Sequence, residues 1–163
     1  MYQPGFAVYI TLAGMTKGRQ FVCVFALALL PLGCSLERPE VSYKNFADAE
    51  QHGAIERGWI PNWIPGSATD IRELHDLDTN ESMMAFELPP GAAWDLPSNC
   101  VKVSYNEVQP PRFRSSWWPS AKEQKSAYDF HRCAGDDPHE SKDQWVARHK
   151  SGKRGLHWRA YAR

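Results

Sequence analysis

The sequence predicts an α+β fold: two N-terminal helices packed on an antiparallel sheet of about five strands that ends in a hairpin. Three observations point there. Residues 45–75 hold two stretches with helix start and stop signals, the apolar period changes to alternation after Asn80, and residues 145–161 read as two alternating runs around a Gly-containing turn.

The first helix is predicted from Asn45 to Arg57. Asn45 caps it, Ala47, Ala49 and Ala54 favour it, and Gly58 ends it in the left-handed conformation. The second runs from about Ala68 to His75, because Ser67 and Asp70 make a near capping box and Ile71 and Leu74 share an apolar face. Met84, Phe86 and Leu88 then alternate as a strand, as do Val101, Val103 and Tyr105, and Tyr128 with Phe130. Each strand is expected to bury one face. Trp145, Ala147 and His149 alternate with Val146, Arg148 and Lys150, residues 151–155 turn, and Leu156, Trp158 and Ala160 alternate with His157, Arg159 and Tyr161. Residues 106–124, with Pro110, Pro111 and Pro119, read as a long connection.

The chain has 163 residues, 42% apolar and 23% charged, with 19 basic residues against 19 acidic ones. That is one domain's worth, too apolar for wholesale disorder and too neutral for a general nucleic-acid binder. Composition breaks at Cys34. The first 33 residues hold no Asp or Glu and only Lys17 and Arg19 as bases. From Met15 a short basic stretch leads into an apolar run from Phe21 to Leu32, the layout of a signal peptide over residues 1–33. Twelve residues make a helix of about 18 Å, short of the ~30 Å hydrocarbon core. Residues 1–14 add nothing to a signal complete from Met15, so translation is expected to begin there.

Leu30-Pro31-Leu32-Gly33-Cys34 resembles the lipobox of bacterial lipoproteins, with Pro31 where Leu, Val or Ile is usual. The resemblance implies cleavage before Cys34, acylation of that residue, and a membrane anchor of two or three acyl chains. Ser35 in place of an inner-membrane retention Asp implies outer-membrane sorting. Residues 34–44 then form a lipidated Cys and tether, and 45–163 a single globular domain. Cys23 leaves with the signal and Cys34 takes the lipid, so Cys100 and Cys133 are expected to pair as a disulfide in an oxidising compartment.

Several residues are candidates for binding. Gly58-Trp59-Ile60-Pro61-Asn62-Trp63-Ile64-Pro65 repeats Trp-Ile-Pro, so Trp59 and Trp63 are either a stacking platform or core anchors. Trp117-Trp118 poses the same choice, with one ring expected outward if the segment is extended. His75, Asp76 and Asp78 crowd one segment. Counted from Asp76, oxygen ligands and Glu87 fall at calcium-loop positions, but Glu81 stands where Gly belongs, which favours a capped turn and no metal. His75 beside carboxylates is a candidate general base, without a nucleophile elbow or zinc motif to accompany it. Charge is segregated: net −6 over residues 70–95 and +6 over 142–163. A polarised molecule is expected, with Arg148, Lys150 and Arg159 on a basic hairpin face that either meets an acidic partner or is merely solvated.

The pattern Gly58-Trp59-Ile60-Pro61, Ile64-Pro65, Ser67-Ala68, Asp70-Ile71, His75 and Asp78-Thr79-Asn80 is also similar to one found in uncharacterised bacterial lipoproteins. It implies a family and no activity. The reading that results is a lipid-anchored, periplasm-facing outer-membrane protein of non-enzymatic binding type. It has no cofactor, and its partner is a protein or envelope component, not nucleic acid. Two alternatives stand beside it: an immunity lipoprotein that neutralises a periplasm-acting toxin, and a periplasmic hydrolase that needs an accessible His75.

Overall fold

The computed structural model describes residues 39–134 and 142–161. Cys34, the signal segment and most of the tether lie outside the described residues. The described chain forms one seven-stranded sheet with two short helices, which overturns the expected pair of helices on a five-stranded sheet. None of these helices is long and apolar enough to cross a membrane.

The strands are β1 (Glu40–Asn45), β2 (Thr69–His75), β3 (Ser82–Glu87), β4 (Cys100–Val103), β5 (Tyr128–Cys133), β6 (Lys142–His149) and β7 (Arg154–Tyr161). Their order across the sheet is β1-β2-β3-β7-β6-β5-β4, every pairing antiparallel. Two meanders, β1–β3 and β4–β7, thus meet at the β3–β7 seam, and residues 88–99 carry the chain from the sheet centre to its far edge.

Asn45 does cap a helix: its side-chain oxygen accepts from the Asp48 N–H at 2.9 Å. That helix, α1 (Phe46–Gln51), stops early because Gly53 turns left-handed at φ 71°. Residues 54–68 continue as turns and not as helix. The expected second helix is strand β2. Its apolar residues Ile71 and Leu74, three apart, point to opposite faces of the sheet, and Glu73 and His75 are the inward partners that complete the alternation. Strand β1 lies in what read as tether. The other helix, α2 (Ala121–Ala127), lies in and just beyond the expected loop, capped by Ser120, whose hydroxyl accepts from the Glu123 N–H.

Both sheet faces are covered, not one. On the front, Tyr43, Ile71, Met84, Phe86 and Val146 lie beneath α1, residues 53–68 and the 88–99 crossover. On the back, Met83, Phe130, Trp145, Leu156 and Trp158 lie beneath Phe113, Trp117 and neighbours. Front-face crowding dictates Gly155 on β7, where a Cβ would stand 2.3 Å from Phe86 Cζ.

Cys100 and Cys133 are directly paired in the β4–β5 register and joined by a disulfide. The bond pins the edge strand β4 to the sheet.

Candidate functional site

The front face holds buried polar groups beneath its cover. Glu73 and His75 project from β2 on the same side, and His75 Nδ1 lies 2.9 Å from both Glu73 carboxylate oxygens. Glu73 is fully buried and His75 is 7% exposed. Trp59 closes the top, its ring stacked 3.7 Å from the His75 ring. Desolvation pushes the Glu73 carboxyl up to about 8, against the pull of Arg159 and Arg57. Desolvation, assisted by Arg57 and opposed by Asp76, lowers His75. The pair therefore holds its proton as a neutral acid–imidazole hydrogen bond at neutral pH. Ser82 is the register partner of His75 on β3, which places carboxylate, imidazole and hydroxyl on one face. Among the described residues, however, Ser82 Oγ is buried without a hydrogen-bond partner, so it makes no hydrogen bond to His75.

Further along the same face, His157 Nε2 donates to Gln144 Oε1 at 3.2 Å, and burial holds the imidazole neutral. The edge of Trp63 meets this ring, with centroids 5.5 Å apart. Trp59 and Trp63 are thus half-buried lids over two histidines. They anchor the 53–68 cover to the sheet and form no open platform.

A cleft of about 350 Å³ opens elsewhere, along the β2–β3–β7 rim where the sheet meets residues 116–123. Its wall carries two ion pairs, Arg72 with Asp70 at 3.3 Å and Arg154 with Glu87 at 3.5 Å, together with Glu123 and the rings of Trp117 and Trp118. Arg154 also donates to the Trp117 carbonyl at 2.7 Å. Asp70 sits at a break in the β2–β3 register with φ 44°, a left-handed conformation uncommon outside glycine. Strain of this kind gathers at working sites. Burial raises the Glu87 carboxyl above its ordinary range, with Arg154 opposing.

The remaining sequence candidates are dispersed. Asp76 is buried, and its Oδ1 accepts from the Asp78 and Thr79 N–H groups at 3.0 Å, the capped turn that competed with a calcium loop. Asp78 is exposed at the turn tip. Among the described residues no three His, Cys, Asp or Glu side chains gather as metal ligands. Arg148 lies 4.6 Å over the Trp94 ring, Arg159 donates to the Gly58 carbonyl, and both are partly buried on the front face. The expected basic face therefore does not form. Lys150 is exposed and reaches the Ser126 carbonyl at 2.6 Å. The two oppositely charged stretches also meet at one point, where Glu87 of β3 is the register partner of Arg154 of β7.

Sequence reasoning missed Glu73, Arg72 and Glu123, and it met Asp70 and Glu87 only as a capping residue and a calcium-loop position. Only Trp117-Trp118 gave a local signal: Trp117 is 8% exposed and Trp118 more open.

A model of the YbbD head domain matches residues 37–87, about a third of the chain and the part that contains β1, α1, β2 and β3. Neither curated proteins nor solved structures gave a match. The chain is thus similar, over its first three described strands, to the head domain of a bacterial family. That segment supplies Asp70, Arg72 and Glu87 to the cleft, while Trp118, Glu123 and Arg154 come from beyond it.

Proposed function

We propose that the chain is a lipid-anchored binding protein of the bacterial envelope, acylated on Cys34 and facing the periplasm from the outer membrane. The observation that carries the binding reading is a contrast in access. The buried Glu73–His75 acid–imidazole pair lies under Trp59, so His75 does not offer the access that a hydrolase needs. Among the concavities open to solvent, the β2–β3–β7 cleft is charged, bears Trp118 and has the size ligand pockets occupy. The lipobox-like Leu30–Cys34 segment, the bacterial family match and the Cys100–Cys133 disulfide support the envelope address.

Intact mass and membrane fractionation of the wild type beside Cys34→Ala test the anchor. The wild type is expected to carry acyl mass and to sediment with outer membranes, and the variant to do neither. Two soluble, uncleaved proteins would overturn the address.

A further inference from the structure

The β2–β3–β7 cleft has wall chemistry that selects a ligand class. Resting on the binding reading above, we infer that it is a saccharide site, which takes a neutral sugar ring against Trp118 with its hydroxyls on the Arg72–Asp70 and Arg154–Glu87 pairs.

Charge comes first. Two guanidiniums face three carboxylates within one cleft, so an anion meets Asp70, Glu87 and Glu123, and a cation meets Arg72 and Arg154. A wholly apolar ligand would strip water from all five without replacing their hydrogen bonds. A sugar hydroxyl both donates and accepts. Each ion pair sets a donor fork beside an acceptor, so adjacent hydroxyls bridge it with charge-assisted bonds.

The second observation is aromatic. Trp117 is committed: it is buried and its Nε1 donates to Glu40 at 2.7 Å. Trp118 packs edge-on against Trp158 and Trp117 yet keeps part of its indole at the cleft. An apolar ring surface next to paired charges suits a molecule with a C–H face and a hydroxyl rim. Asp70 holds its left-handed conformation at this same wall.

The test is titration of the full-length chain in detergent with chitotriose, maltotriose and trialanine, followed by saturation-transfer NMR and indole N–H shifts. Trp118→Ala and Glu123→Ala are measured alongside. The Glu123 side chain takes no part in the α2 cap, which uses its backbone, so that variant keeps the fold. One of the two saccharides is expected to bind and to receive saturation on its ring C–H protons. Trp118→Ala should weaken binding about tenfold or more, and Glu123→Ala about threefold with an unchanged melting midpoint. Saccharide binding unaffected by either substitution would overturn the inference. If trialanine alone binds, sensitive to Glu123→Ala, the sugar is wrong and the binding reading stands. If nothing binds, both fall.

Discussion

At the scale of single residues, the Glu73–His75 pair makes stability depend on pH in a way that exposed carboxylates would not. A carboxyl raised in the folded state binds its proton more tightly than the unfolded chain does, so its contribution is present at low pH and fades as pH climbs toward about 8. His75, His131 and His157 are lowered, which acts in the opposite sense and is spent once pH exceeds their ordinary value of 6.5. Between pH 6.5 and 8, Glu73 dominates, and stability is expected to fall by roughly 2 kcal/mol. Thermal melts across that window check it. Glu73→Gln should flatten the fall, and a fall that persists in this variant would place the titrating group elsewhere. Gly155 supplies a steric counterpart. Its Cβ would overlap the Phe86 ring, so Gly155→Ala should cost about 1–3 kcal/mol in urea unfolding, and Phe86→Leu in the same chain should recover part of the loss.

At the scale of elements, legibility followed how openly each segment declared its buried side. The terminal hairpin was plain because Trp145, Ala147, Leu156 and Trp158 are apolar and alternate. Strand β2 misled because two of its three front-face residues after Thr69 and Asp70 are Glu73 and His75, the third being Ile71, and buried polar groups read as surface in any hydrophobic pattern. What remained visible, Ile71 and Leu74, has helical spacing. Val41 and Tyr43 did alternate in β1, and Ser120 with Glu123 did mark the start of α2, so those two signals were present and short. The disulfide was legible by counting, though not its position at the sheet edge. Replacing Cys100 and Cys133 by Ser should cost about 2–4 kcal/mol. Hydrogen exchange should quicken first in β4, which is four residues long and has no strand beyond it among the described residues. Uniform quickening over all strands would mean that the bond supports the whole sheet.

At the scale of the molecule, a sheet covered on both faces explains why the expected basic surface is absent. Arg148 and Arg159 read as an outward basic side of the hairpin, partner-facing or solvated, but that side also carries the buried Val146 and His157 and is roofed by the 53–68 segment. No local pattern announces such a roof, because residues 53–68 form turns with no period of their own. The cleft was invisible for a related reason: its lining comes from β2, β3, β7 and the 116–123 segment, brought together only by the crossed order of the strands. That order also shapes folding. The β3–β7 seam joins strands far apart in sequence, so neither meander has its full neighbours until the seam forms. Unfolding is expected to be one transition, coincident by far-UV and near-UV circular dichroism. Two separated midpoints would show that the β1–β3 half, the part similar to the YbbD head domain, stands alone.

The stacking of Trp59 on His75 has an optical consequence. An imidazolium quenches a neighbouring indole more strongly than a neutral imidazole does, and here the rings are 3.7 Å apart. Protonation of the sealed histidine as pH falls should therefore dim Trp59 emission. The difference spectrum between wild type and Trp59→Phe isolates that signal from the other tryptophans, so the protein carries its own fluorescent gauge of the charge state beneath the roof.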